Sequence, residues 1–224
     1  MSQACRAAQA LACGEQSGPF LDLDGGLPRF ICCMPLRLFE ELYYMTHYQN
    51  VGSILERGIL SHSQVEQLGL QRVDISDPGV QRWRALPEPV FGRPIHAYAP
   101  LYFNPRNPML FARRAMQRNL VLLRVSADAV HTASQALFTD GNAACRYTQF
   151  STCFDVVRSA WPVLEAAYWN GFSDGTRMRC AEALVLDSVA PRFILGAACN
   201  NPALARHLQL KHGLEACVDG SFFF

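Results

Sequence analysis

The 224-residue chain predicts an α+β domain. Three observations carry that expectation. Six short apolar stretches suit strands, and short helical stretches separate them. Half of the residues are hydrophobic, which is ordinary for a globular protein able to bury a real core. No apolar run approaches the ~18 residues of a membrane span.

Residues 1–36 carry no period, hold Gly25-Gly26 and several Cys, and read as a poorly ordered or loosely packed extension. The domain is expected over 37–224. Ala10-Leu11-Ala12-Cys13 faintly suggests a lipoprotein cleavage site. The apolar region is too short and the basic start too weak for one, so a cytoplasmic protein without a membrane contact is expected.

Leu42–Thr46 reads as a strand and His47–Arg57 as a short helix, with Val51, Ile54 and Leu55 inward and Gly58 as its stop. Ser61–Gly79 is polar and broken by Pro and Gly, so a loop is expected. Val80–Arg84 is a helical turn, and Pro87–Ala99 a Pro-broken loop. Pro100–Phe103 can cross a core as a short strand. Asn104-Pro105 and Asn107-Pro108 then break the chain twice and set Arg106 on a rigid, non-helical shelf. Met109–Met116 resumes as a helix, with Pro108 suited to its first position.

Asn119–Val125 is a buried strand, Ser126–Val130 a short turn, and Leu137–Thr139 another strand. Asp140-Gly141 is a turn signal. Phe154–Trp169 is helical with Trp161-Pro162 as a break, and Gly171–Arg179 a polar, Gly-containing loop. Ala181–Asp187 and Phe193–Ala198 are strands, and Pro202–Leu210 is a helix.

The nine Cys contain no Cys-x-x-Cys pair and no spacing that reads as zinc. Cys32-Cys33 are adjacent, while Cys145, Cys153, Cys180 and Cys199 look like small buried hydrophobes. Reduced thiols and no metal are expected. Net charge is +1, so no global basic field announces nucleic acid. Lys211 is the only Lys; the other basic residues are Arg, whose planar fork suits phosphates and bases, although a high-GC genome gives the same bias.

Two positions suggest chemistry. Arg106, held between two prolines, suits an anion as well as it suits solvent. Glu182 opens an otherwise apolar strand, where a carboxylate is costly unless paired or used.

The segment Leu101-Tyr102-Phe103-Asn104-Pro105-Arg106-Asn107-Pro108-Met109-Leu110-Phe111 resembles the Phe-Tyr-Phe-x-x-Arg-Ser-Pro-Met-Leu-Tyr signature of the DarT family. These bacterial toxins transfer ADP-ribose from NAD to bases of single-stranded DNA. Tyr43 to Leu60 resembles the family's opening motif, Tyr-x-x-Thr-His-x-x-Asn-x-x-x-Ile-Leu-x-x-Gly-x-Leu, with Tyr44 where the family commonly has His. Asp140-Gly141-Asn142-Ala143-Ala144, with Tyr147 following, resembles a further motif. His96-Ala97-Tyr98 resembles His-Asp-Tyr, with Ala97 in place of the Asp. Ala181-Glu182-Ala183-Leu184-Val185 resembles the family's Ala-Glu-[hydrophobic]-Leu-Val, and Phe222-Phe223-Phe224 its aromatic end.

The resemblance covers about Tyr43 to the C-terminus. It implies an ADP-ribosyltransferase fold with a split central sheet and flanking helices, and NAD as co-substrate. It implies Glu182 as the catalytic carboxylate and one Arg of an Arg pair as a second catalytic residue that orients NAD phosphate or the acceptor base, Arg84 ranked before Arg82. NAD would meet Tyr44, Thr46, His47, Asn50 and Tyr102. His47 has an equally good role as a backbone cap. DNA would meet Arg106, Asn142, Tyr147, Arg177 and Arg179, with thymine or guanine as the acceptor. A macrodomain antitoxin that removes the ADP-ribose is the implied partner.

Two other classes fit the residues. One is an enzyme of the same fold acting on RNA or protein, which would keep Glu182. The other is a degenerate DNA- or partner-binding domain, in which Glu182 would be dispensable. NAD consumption separates the second from the enzymes.

Overall fold

The computed structural model describes residues 39–224, so the expectations for residues 1–36 lie outside the described residues. The strands are β1 Glu41–His47, β2 Ile59–Leu60, β3 Tyr98–Tyr102, β4 Leu120–Ser126, β5 Ala136–Thr139, β6 Phe150–Ser151, β7 Glu182–Leu186, β8 Ser188–Val189, β9 Ile194–Cys199 and β10 Ala216–Val218. The α-helices are α1 Val51–Arg57, α2 His62–Gln67, α3 Pro78–Arg84, α4 Pro108–Ala112, α5 Asp128–His131, α6 Trp161–Glu165, α7 Gly175–Met178 and α8 Pro202–His212.

Eight strands form one mixed sheet in the order β10-β9-β4-β1-β3-β7-β5-β6, and β2 pairs with β8 outside it. The sheet is split at its middle. β1 follows β4 through seven register pairs, and β3 follows β7 through five. Between β1 and β3 the register has a single pair, Tyr43 with Tyr102. Two well-laddered halves therefore meet at one point and part beyond it. β4 and β7 lie inside their halves and are almost wholly apolar, as strands covered on both faces must be. Main-chain hydrogen bonds and apolar burial against the helices hold each half.

The α+β expectation and the six sequence-derived strands stand. Four short strands (β2, β6, β8 and β10) are additional, and two or three residues leave almost no pattern to read. The expected loop Ser61–Gly79 contains α2, whose N-terminus is capped by Ser61 accepting from the Gln64 N–H. Its polar residues hid it. The expected helix Phe154–Trp169 is a 3₁₀ segment, Phe154–Ser159, followed by α6, which Pro162 restarts. Part of the expected loop Gly171–Arg179 is α7. Of the four cysteines expected to be buried, Cys180 and Cys199 are; Cys145 and Cys153 are half-exposed. Among the described residues no helix is long and apolar enough to cross a membrane.

Candidate active site

The halves of the sheet part around a cleft of about 570 Å³. Tyr44 of β1, Tyr102 of β3, Arg84 of α3, Met109 of α4, Asn142 and Cys180 line it, and the segment Arg72–Asp77 forms one wall. Behind Arg84 lies Glu182, the first residue of β7 and opposite Tyr102 in register.

Glu182 is 1% exposed and Arg84 8%. Arg84 Nη1 donates to Glu182 Oε1 at 3.1 Å and Nη2 donates to Oε2 at 3.0 Å, a two-pronged, charge-assisted pair. The Ala143 N–H donates to the same Oε1 at 3.0 Å. The Glu182 main chain is fixed as well: its N–H donates to Thr139 Oγ1, and Thr139 Oγ1–H is shared with the carbonyls of Gly141 and Glu182. Burial opposes the Arg84 charge, but the Glu182 carboxylate outweighs it and leaves the guanidinium pKa above its ordinary value. Burial and the charge of Glu182 push the Tyr102 hydroxyl well above its usual range, so it is a neutral hydrogen-bonding group. Arg84 lines the cleft and Glu182 does not. The guanidinium masks the carboxylate.

Tyr44 faces the cleft; its hydroxyl pKa is also raised by burial. Thr46, His47 and Asn50 are not in the cleft wall. Thr46 Oγ1 accepts from Asn50 Nδ2. His47 Nδ1 accepts from the Gln49 N–H, which is the capping role. Asn50 grips Val73 twice, Nδ2 donating to its carbonyl and Oδ1 accepting from its N–H, both at 2.9 Å. Asn50 thereby pins the Arg72–Asp77 wall, and Arg113 Nε assists by donating to the Ile75 carbonyl. Arg82, two residues before the inward-turned Arg84, is exposed and away from the cleft.

The residues expected to meet DNA divide. Asn142 and Arg177 line the cleft. Arg177 is held by Asp140 and Asp174 and packs on Gly141, where an added Cβ would sit 2.5 Å from its Nη1. Tyr147 is exposed. Arg106 is half-buried and turned to the end of the chain: its Nη1 donates to the Ser221 and Phe223 carbonyls, and its guanidinium lies over Phe224 at 4.5 Å. It clamps the aromatic end of the chain. Arg179 is 2% exposed and donates to the carbonyls of Arg106, Val163, Leu164 and Ala166. Main-chain acceptors and burial enclose Arg179, while Arg106 spends one guanidinium nitrogen on the end of the chain.

Several cleft residues escaped sequence reasoning. His62 and His96 stack at 4.2 Å at one end of the cleft, with Arg72 donating to His62 Nδ1 and His96 Nε2 bonded to Gln81 Oε1 at 2.7 Å. Burial, with the nearby His62 and Arg84, pushes His96 down to about 4. His62 and Arg72 fell in the segment read as a loop. The His96 signal was present in the His-Ala-Tyr motif. Among the described residues, no group of three His, Cys, Asp or Glu could hold a metal ion.

A sheet split around a cleft, with a buried Glu held behind the Arg that lines it, is the architecture of an ADP-ribosyltransferase. It matches Thermosipho africanus DarTG in complex with ADP-ribose at a TM-score of 0.75 and 31% identity, covering 83% of this chain and 51% of that one. Thermus sp. 2.9 DarT in complex with ADP-ribosylated ssDNA shares the fold at a TM-score of 0.73 and 24% identity, covering 83% of this chain and 96% of that one. Residues 43–220 match the family model described as "ssDNA thymidine ADP-ribosyltransferase, DarT". The chain belongs to the DarT family.

Among curated relatives, a DNA ADP-ribosyl transferase–DNA ADP-ribosyl glycohydrolase fusion protein of Thermosipho africanus is 31% identical over 194 residues, 83% of this chain and 50% of the relative. A DNA ADP-ribosyl transferase of Thermus sp. is 31% identical over 157 residues, 64% of this chain and 73% of that protein. The chain spans about half the length of the fusion protein.

Proposed function

We propose that this chain transfers ADP-ribose from NAD to a thymine base of single-stranded DNA. The observation that carries the reading is the two-pronged Arg84–Glu182 pair at the cleft. The family's thymidine description supports thymine over guanine as the acceptor.

In this reaction the bond between the nicotinamide and its ribose breaks, and nicotinamide leaves with the electron pair. The ribose carbon becomes cation-like, a ring nitrogen of the base attacks it, and that nitrogen gives up its proton. Glu182 accepts a hydrogen bond from the ribose 2′-hydroxyl and stabilises the developing positive charge. It reaches the cleft once Arg84 swings off its carboxylate, and the NAD pyrophosphate is a second anion that competes for the guanidinium. Arg84 then orients phosphate or base and eases loss of the ring proton. Tyr44 and Tyr102 offer faces and hydroxyls to NAD, while Thr46, His47 and Asn50 shape the wall. Asn142 and Arg177, which line the cleft, meet the acceptor strand in this reading. A base inside a stack could not reach the ribose, so the substrate is single-stranded.

Such an activity is toxic when uncontrolled. The same reading makes the chain a cytoplasmic toxin neutralised by a macrodomain antitoxin that removes the modification. The transferase–glycohydrolase fusion among its relatives supports that pairing.

The test incubates the protein and Glu182→Gln with NAD and oligonucleotides each rich in one base, and weighs the products. An ADP-ribose adduct on the thymine-rich strand, lost in the variant, is expected. An adduct on the guanine-rich strand would move the acceptor. NAD consumed without an adduct would move the substrate to RNA or protein, and intact NAD would leave a binding module.

A further inference from the structure

Glu88 is 2% exposed, yet its neighbours from Leu86 to Pro94 are exposed. Its carboxylate accepts from the N–H groups of Val90, Phe91 and Arg93 and from the Tyr98 hydroxyl. The Ile95 N–H donates to the Leu86 carbonyl, and Pro87 bridges Pro94 across the loop. A buried carboxylate with four donors makes residues 86–95 a rigid turn. What this turn and the preceding α3 hold outward is apolar and basic. Trp83 is 53% exposed, Leu86 48% and Phe91 46%.

Arg82 and Arg93 are exposed beside them, and neither guanidinium has an ion-pair partner among the described residues. The only acid between 82 and 94 is Glu88, and it is buried. Within residues 82–94 the exposed side chains are thus aromatic, apolar or positive, and none is acidic. Trp83 and Arg82 precede Arg84, the residue that turns into the cleft. Gln81 and Arg84 line the cleft, so Arg82 and Trp83 stand on the outer side of the same short helix.

From this we infer that Trp83, Phe91, Arg82 and Arg93 form an outer platform for nucleotides flanking the modified base, the aromatics stacking on bases and the arginines meeting phosphates. The inference rests on the proposed DNA reading and extends the footprint beyond the cleft. An anionic, base-bearing strand matches this surface in charge and in chemistry; every base has a face to stack, so the platform tolerates sequence.

The test measures binding of fluorescent thymine-rich strands without NAD, one of about 20 nucleotides and one of about 4, the latter short enough to stay in the cleft. Trp83→Ala and Phe91→Ala are each expected to raise Kd for the long strand about tenfold and leave the short strand unchanged. Trp83→Phe keeps a stacking face and is expected to retain most of the affinity. Removing Arg82 and Arg93 together should lower the salt slope of the long strand by about 1.4. Leu210→Ala, an exposed apolar site on α8, serves as control, and circular dichroism checks folding.

Equal losses on both strands would trace the effect to the cleft and overturn the platform. Unchanged long-strand binding would also overturn it and leave the patch to a protein partner. If the parent protein binds neither strand, the DNA reading itself fails with it. If the parent binds and modifies DNA while Trp83→Ala matches it at both lengths, only the platform fails.

Discussion

Arg84 and Arg179 are both buried, and they do opposite things. Arg179 donates to four main-chain carbonyls that tie the segment 163–166 to Arg106, and burial lowers its pKa with no carboxylate beside it. Arg84 donates to one carboxylate at the edge of a cleft, and that carboxylate raises its pKa. An arginine satisfied by backbone oxygens has nothing left for a ligand. One satisfied by a single side chain can change partner when another anion arrives. By that criterion Arg84 and Arg179 stand at opposite ends, with Arg106, whose Nη1 alone is spent on carbonyls, between them.

The largest effect separating them is on activity. Arg84→Lys keeps the charge but cannot fork to both oxygens, and turnover is expected to fall about 10²–10³-fold while the protein still folds. Arg84→Ala leaves Glu182 buried without a counter-charge, at a cost of about 3–5 kcal/mol in urea unfolding. Adding Glu182→Gln to Arg84→Ala should recover most of that loss, because it removes the stranded charge. If the two single-variant costs simply add, the pair is not a unit and the contrast with Arg179 collapses.

Next in size is Arg179→Met. Four carbonyls lose their donor, and the urea midpoint should fall by the equivalent of about 3 kcal/mol. Adduct formed per folded molecule should barely change. Lost turnover with intact stability would mean Arg179 meets substrate after all.

The two arginines also show what a sequence can and cannot tell. Glu182 was legible because a carboxylate at the head of an apolar strand breaks a burial rule. Arg84 was narrowed to a pair, but the choice between Arg82 and Arg84 depends on helix phase, and a seven-residue helix gives little phase to read. Arg106 and Arg179 were expected on DNA because sequence shows a charge without its acceptors. Their acceptors are carbonyls 13 to 117 residues away, and a carbonyl looks the same at every position. The six longer strands were visible in the apolar pattern. The split between β1 and β3 came through the resemblance, since no local pattern encodes where two strands part.

The smallest effect concerns the cleft's far end and is one of pH. His96 packs against His62 and Gln81, with Arg84, Arg72 and Glu66 close enough to act on its charge. Burial comes first among the causes that lower its pKa, followed by His62 and Arg84, and together they take it from 6.5 to about 4. Between those values the unfolded chain binds a proton that the folded chain refuses. Stability from this group is therefore full above the unfolded value and falls as pH drops from 6.5 towards about 4. Solvent access to the ring keeps the slope below that of one whole proton. His96→Gln removes the titration, so its urea midpoint should change less between about pH 7 and about pH 4.5 than that of the parent. Parallel midpoints for parent and variant would mean the folded His96 accepts its proton as readily as the unfolded one. The imidazole stack would then carry a charge at the cleft, where the structure holds a neutral ring.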